Sequence, residues 1–398
     1  MNFIKIGTTL YCLLFTLLSY AEHTAKQECP KPYHYLLSID RHFSSKSSSE
    51  LSSSVFEGYR QLEEWLLPEP TGVVERLFLY CTREVAATFI TTANHEIGGH
   101  GAQLRALGIK NIRYSVGLNG GYTAFKLPPQ THPQDRLMIN LGGVHASNLL
   151  SEVTQQRFVE DSTISPNLGH LYFASKFDQI YYIFSYKNNH SENLKGHDMA
   201  NYIQGINSLY QTNSLNRSKL KKYNYWGLLD PLLAYSIYST VTNKQVALPL
   251  IPLKIPGVSA PVEFLPSAQL LLTPYGPELG IRNIIKISDR YYQLTLLHGK
   301  NQPFNTYGIS LSSDHCLNYQ KLTLGGEVRL WSQPQLLTAG NFTQAPMKTG
   351  GMLMVNTQFP VNKTLKLYAS FGYKTAGFAM GESLKSCAIL KTGVAITL

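Results

Sequence analysis

After Val246 the chain changes texture. Apolar and polar residues alternate in short runs, each bounded by Gly, Pro, Asn or Ser. A β-strand imposes that period of two, because successive side chains point to opposite faces. In 321–330, Leu322, Leu324, Val328 and Leu330 fall on one face, and Lys321, Thr323, Glu327 and Arg329 on the other. Leu365, Leu367, Ala369, Phe371 and Tyr373 alternate with Lys366, Tyr368, Ser370 and Lys374. The last run alternates Leu390, Val394, Ile396 and Leu398 with Lys391, Gly393, Ala395 and Thr397. Runs centred near Ala268, Leu279, Tyr291, Tyr307, Leu322, Leu353, Leu365 and Leu390 predict about eight strands. Strands joined in sequence order by short turns pair antiparallel, so residues 246–398 are expected to form an antiparallel β-barrel.

Segments of this length and alternation resemble a small outer-membrane barrel. The final strand, running to an apolar Leu398, is similar to the terminal strand that barrel-assembly machinery engages, although that strand usually ends in an aromatic residue. The resemblance implies that the apolar set faces outward into a membrane, while Glu327, Arg329 and Lys391 face a lumen. A water-soluble barrel or sandwich alternates equally and turns the same apolar set inward. Alternation decides which residues travel together, not which side they take.

The first part of the chain reads differently. Residues 1–21 have the layout of a secretory signal: Lys5, an apolar stretch at 6–18, and the small-x-small sequence Ser19-Tyr20-Ala21. Export is expected, and with the barrel resemblance it implies the outer membrane or periplasm of a Gram-negative-type envelope. Cys29, Cys81, Cys316 and Cys387 lie beyond the signal. An even number suits two disulfides, and pairing Cys29 with Cys81 and Cys316 with Cys387 would keep each bridge within one region. Residues 22–54 read as a polar leader, serine-rich and linker-like at 44–54. Residues 55–245 read as a mainly helical domain, with helices expected at 75–100, 137–158, 198–209 and 225–238. In the first of these, Leu77, Leu79, Val85, Ala86, Phe89 and Ile90 are the expected buried face. Arg76, Arg83 and Glu84 interrupt it too often for a transmembrane helix. The chain is thus expected to be α+β and multidomain. Its formal net charge of +10 suits an anionic partner. The densest basic run, Lys219-Leu220-Lys221-Lys222, is too short for a nucleic-acid footprint, so no nucleic acid is expected.

The residues suited to chemistry concentrate in His95-Glu96-Ile97-Gly98-Gly99-His100. Two imidazoles beside a carboxylate suit a zinc ion held by His95 and His100, with Glu96 as the base that activates water. The common metalloprotease spacing, H-E-x-x-H, puts both rings on one helical face. Here there is one residue more, and a five-residue step in a regular α-helix rotates by roughly 140°. A π-turn, closing i to i+5, would realign the rings. Gly98 and Gly99 bring no Cβ to resist that deformation.

The H-E-x-x-x-H spacing resembles the dipeptidyl peptidase III family of zinc peptidases. A longer series resembles the site-2-protease-like zinc metallopeptidases. It comprises Gly101-Ala102-Gln103-Leu104, Ile112-Arg113-Tyr114-Ser115-Val116, Gly120-Gly121-Tyr122-Thr123, Leu141-Gly142-Gly143, Ala146-Ser147-Asn148 and Gly196-His197-Asp198, in that order. This second resemblance implies Asp198 as the third metal ligand, although Asp at a helix start is also a favoured N-cap. Glu152 is the other candidate. The first resemblance implies a downstream glutamate, and His145, Asn148 and Glu152 share a helical face. His197 is a further option. Asn148 is a candidate for holding a substrate main chain. Gly120 and Gly121 suit either a peptide approaching an edge strand or a plain hairpin turn. The function these readings imply is an exported zinc-dependent peptidase, acting on a polypeptide substrate and attached to an outer-membrane-type barrel. The alternative is a non-catalytic outer-membrane channel or structural barrel with a degenerate metal-site domain.

Overall fold

The computed structural model describes residues 33–67, 72–118, 120–185, 197–256, 260–301, 303–337 and 341–398. The expected signal at 1–21 and Cys29 lie outside them. The described chain begins with β1 (His34–Asp40), α1 (Ser45–Leu66) and α2 (Val73–Ala93). A π-helical segment (Asn94–His100) and α3 (Gly101–Ala106) continue α2. The hairpin β2 (Arg113–Gly117) and β3 (Gly120–Ala124) leads to α4 (Pro133–Asp161). Then come β4 (Thr163–Ile164), α5 (Pro166–Ser185), α6 (Asp198–Leu209), α7 (Arg217–Asn224), α8 (Pro231–Thr242), β5 (Val246–Ala247) and β6 (Ile251–Leu253). Asp230 caps α8 by accepting from Leu232 N–H, and Pro231 occupies the first turn, where no N–H is needed.

The alternating runs form eight long strands in sequence order: β7 (Val262–Thr273), β8 (Gly276–Ile287), β9 (Arg290–Asn301), β10 (Phe304–Tyr319), β11 (Leu322–Pro334), β12 (Met347–Pro360), β13 (Leu365–Lys374) and β14 (Cys387–Thr397). Two more strands join them. β1 pairs with β14, His34 opposite Thr397, and β6 pairs with β7. The result is a ten-stranded antiparallel sheet in the order β1-β14-β13-β12-β11-β10-β9-β8-β7-β6. It is an open sheet with β1 and β6 at its ends, not the expected closed barrel of about eight strands. Alternation specifies how neighbours pair and carries nothing about whether the ends meet.

The serine-rich stretch is also not a linker. It is the first half of α1, with Ser45, Ser47, Ser48, Ser49, Ser53 and Ser54 buried. Ser49 Oγ and Ser54 Oγ bond back to the carbonyls of Ser45 and Glu50, one turn earlier. Small hydroxylated side chains let α1 lie close to its neighbours while remaining hydrogen-bonded. Ser48 Oγ, for example, reaches Asn94 Oδ1 at 2.9 Å.

The apolar set of the sheet faces outward. Val328, Leu330, Leu367 and Phe371 are exposed, and Leu390 is 66 % exposed. The opposite face carries the charges. Arg329 pairs with Glu327, Arg282 with Glu152 of α4, and Lys391, only 3 % exposed, with Glu50 of α1 at 3.0 Å. A cavity of about 490 Å³ lies among these groups. Elsewhere the interior is apolar. α4, α6 and β7 share one cluster through Leu141, Val144, Tyr202 and Leu272, and α1, α5 and α8 share another through Phe56, Leu171 and Leu232.

Two further expectations are corrected. In α2, Leu79 and Ile90 are buried but Leu77, Val85 and Phe89 are exposed. The buried face instead includes Arg83, Ala87 and Thr91. Cys316 and Cys387 are free. β11, β12 and β13 separate β10 from β14. At about 4.8 Å per strand that span far exceeds the ~7 Å limit for a disulfide.

Candidate metal centre

The extra residue of the motif is accommodated by the π-helical segment. Gly101 N–H bonds Glu96 O, an i to i+5 closure. The two imidazoles stand beside each other, ring centroids 5.1 Å apart. The glycines serve close approach as much as deformation. A Cβ on Gly99 would sit 2.5 Å from Gly143 Cα, and one on Gly98 2.2 Å from Ser48 Oγ. A Cβ on Gly143 would fall 2.0 Å from His95 Nε2. The π-segment and α4 therefore cross backbone to backbone at Gly99, Gly142 and Gly143, which seats His95 against α4.

Each imidazole is oriented through its outer nitrogen. His95 Nδ1 donates to Asp178 Oδ2 at 2.8 Å, and that oxygen also accepts from Ser147 Oγ at 2.6 Å. His100 Nδ1 donates to Ile139 O at 2.7 Å. Both Nε2 atoms then face inward, where loss of a proton exposes the lone pair a metal needs. They meet Asp198 Oδ2, at 3.5 Å from His95 and 3.3 Å from His100. His95, His100 and Asp198 form a buried group close enough to bind a metal ion. His95 Nε2 is buried without a hydrogen-bond partner. Donors about 2.0–2.1 Å from a tetrahedral zinc lie roughly 3.3–3.5 Å from one another, so the Asp198 separations fit. Asp198 is not the cap of α6, because His197 occupies that position. Its carboxylate is thus available to the imidazoles.

Electrostatics bind the group together. Burial pushes Asp198 up, but His100 and His95 outweigh it and hold the carboxyl well below the usual range. Burial pushes His95 down, but Asp178 and Asp198 hold it well above an ordinary imidazole. Asp198 raises His100 against burial in the same way. A metal entering here displaces those protons.

Glu96 is buried, and its Oε2 accepts from Thr123 Oγ1 of β3 at 2.6 Å. Gly121 lies against it, since a Cβ there would sit 2.7 Å from Glu96 Cγ. Gly120, with φ of +122°, makes the hairpin turn and has open space around it. The remaining candidates lie elsewhere. His145 Nε2 donates to Leu272 O at 2.6 Å, and Glu152 pairs with Arg282. Asn148 donates to Gln179 Oε1 at 2.7 Å. His197 stands edge-on to Tyr182, whose ring stacks on His95. Sequence reading missed Asp178, Ser147, Thr123 and Tyr182. Asp178 lies 83 residues from His95, and no spacing rule signals it.

No family model, curated protein or solved structure matches the chain. The chemistry of the site rests on its own geometry.

Asp178 supplies a test of that geometry. Asp178→Asn is expected to weaken metal binding about 10- to 100-fold, as loss of a carboxylate behind a ligating imidazole does elsewhere. Competition with a chromophoric chelator measures it. In the parent protein, affinity should begin to fall with decreasing pH above 6.5, the ordinary imidazole value, because His95 holds its proton more tightly. In Asp178→Asn that onset should move to lower pH. Unchanged affinity and onset would reduce Asp178 to a packing partner.

Proposed function

We propose that this chain is a zinc-dependent peptidase carried on a membrane-embedded β-sheet. The observation that carries the enzyme reading is the convergence of His95, His100 and Asp198 into one buried group close enough to bind a metal ion, with Glu96 adjacent in the chain. His95 Nε2, His100 Nε2 and Asp198 Oδ2 would hold the ion, a three-ligand set of the kind that catalytic zinc sites use. Zinc, when bound, supplies a Lewis acid that polarises a scissile carbonyl and acidifies water. Glu96 would take a proton from the attacking water on its carboxylate and pass it to the leaving amine. Thr123 orients that carboxylate. A peptide main chain laid along β3, one edge of the two-stranded β2–β3 sheet, would lie beside Glu96.

The membrane reading is supported by the inverted polarity of the sheet. Exposed Val328, Leu330, Leu367 and Phe371 suit lipid, and the paired charges opposite suit a wet or ion-paired interior. A soluble sheet packed on helices has the reverse arrangement.

Purified protein is expected to carry a single zinc ion per chain by mass spectrometry, and His100→Ala to carry none. A parent protein that neither retains nor takes up zinc overturns the enzyme reading and favours a non-catalytic channel or structural protein. For the membrane reading, heat-modifiable migration in the outer-membrane fraction is the expected result. Release of the intact protein with the periplasmic contents refutes it.

A further inference from the structure

The sheet leaves a gap between β1 and β6, and helices line it. α1 packs on β1, α2 on α1, α5 on α2, α8 on α5, and α8 also touches β7. Polar ties run between consecutive helices. Arg83 of α2 pairs with Glu63 of α1 at 2.6 Å, and His170 of α5 with Glu84 of α2 at 3.0 Å. Lys176 of α5 pairs with Asp230, the cap of α8, at 3.3 Å.

Helix side chains bond to β1 at one end of the sheet and, at the other, to the length of β7 beyond Val262–Phe264, where the short β6 does not pair with it. Ser54 Oγ of α1 accepts from Leu36 N–H at 2.9 Å and also reaches Leu36 O at 3.0 Å. On the other side, Gln179 of α5 donates to Leu270 O at 3.0 Å, and His145 of α4 donates to Leu272 O at 2.6 Å. An open sheet edge is not tolerated in hydrocarbon, because its backbone groups find no partner there. These side chains supply partners.

The same helices carry exposed apolar residues on their outward faces. On α2, Val74, Phe78, Cys81, Val85 and Phe89 form one exposed stripe at helical spacing, without a charge in it. Of the charged residues of α2, Arg83 and Glu84 turn to the adjoining helices, and Glu75 and Arg76 lie in the first turn, off the stripe. From Val74 to Phe89 the stripe runs about 22 Å, close to the ~25 Å apolar band of a membrane barrel. Val55 and Leu62 of α1, Phe177 and Tyr181 of α5, and Val241 of α8 are likewise exposed. No described helix is long and apolar enough to cross a membrane. A helix sealed into a wall needs only one apolar side, and the inner side of α2 carries Arg83 and Thr91.

We propose that α1, α2, α5 and α8 close the wall that the ten strands leave open, and that their outward stripes meet the same lipid hydrocarbon as the sheet. The proposal rests on the reading of the sheet as membrane-embedded. In this arrangement the hydrogen bonds of Ser54 of α1 and Gln179 of α5 form the seams between strand and wall helix, and His145 of the buried α4 supplies a further partner to β7.

Site-directed nitroxide labelling separates the two ideas. Full-length protein with Cys12, Cys29, Cys81, Cys316 and Cys387 replaced by Ser receives single cysteines. These are placed at Phe78, Val85 and Phe89 on α2, at Val328 and Leu367 on the sheet, and at exposed Gln204 on α6 as an aqueous control. In phosphatidylcholine vesicles, the α2 labels are expected to match the sheet labels: accessible to oxygen and shielded from a nickel chelate. Gln204 should show the opposite. Sheet labels in lipid with α2 labels open to nickel would overturn the helical wall and leave the membrane sheet standing. α2 labels shielded from both reagents would mean that protein, such as a second copy, covers the stripe, and would also overturn the wall. Nickel access at every label, or no incorporation into vesicles, would overturn both readings.

Discussion

Glu96→Gln is expected to retain zinc and to lose peptide hydrolysis by about 10²- to 10⁴-fold, the range that general acid–base catalysis contributes. The substitution keeps side-chain volume and leaves a carbonyl oxygen to accept from Thr123 Oγ1 in place of Oε2. The packing against Gly121 and the π-helical backbone should therefore persist. What the amide lacks is the ability to hold a proton in transit between water and the leaving amine. Zinc content and turnover of a peptide mixture, read on the same preparation, give the two quantities needed. Zinc retained with turnover lost assigns Glu96 to proton transfer. Equal turnover in parent and variant would remove Glu96 from the mechanism. Loss of both would make it part of the metal site instead.

The parts of the fold that were legible share one property: a period that only one local structure satisfies. The eight long strands were, because Lys321 to Leu330 and its counterparts alternate too regularly for a helix. So was the π-turn, because two histidines five apart share an ion only if the helix widens between them. The grouping of Asp198 with the two histidines was legible through its position at a helix start and the order of motifs before it. The failures share a property too. Period says which residues lie together and not what they face. α2 has apolar residues on two sides, and the inner one is set by Arg83 reaching Glu63 and by Ala87 and Ile90 meeting α1, α4 and α5. The serine run was misread because low complexity is the signature of a linker. Buried between β1 and the π-segment, the same small hydroxyls permit close packing. Asp178 had no local signal. Its role exists only because α4 and α5 bring Ser147 and Asp178 behind the His95 ring.

Removing the third candidate ligand is expected to have the largest effect on metal content. Asp198→Ala should abolish stoichiometric zinc, since two imidazoles alone remain, one of them seated through Asp178. It also removes the carboxylate that raises His100, so His100 should turn neutral nearer the ordinary imidazole range, while Asp178 still holds His95 up. Asp198→Asn separates charge from shape. It retains the volume, and zinc should still be lost if the anion is what the ion requires. Glu152→Ala should behave in the opposite manner. Its carboxylate pairs with Arg282, whose side chain is only 6 % exposed, while Glu152 keeps 22 %. Breaking a fully buried pair costs about 3–5 kcal/mol, and this half-screened one should cost less. The variant should therefore melt at a lower temperature while binding a full complement of zinc. Glu152→Gln, which can still accept from Arg282, should recover part of that stability. The decisive comparison is zinc content against melting temperature across these variants. Asp198 variants that keep zinc, together with Glu152 variants that lose it at unchanged stability, would move the third ligand to α4 and dismantle the site as described.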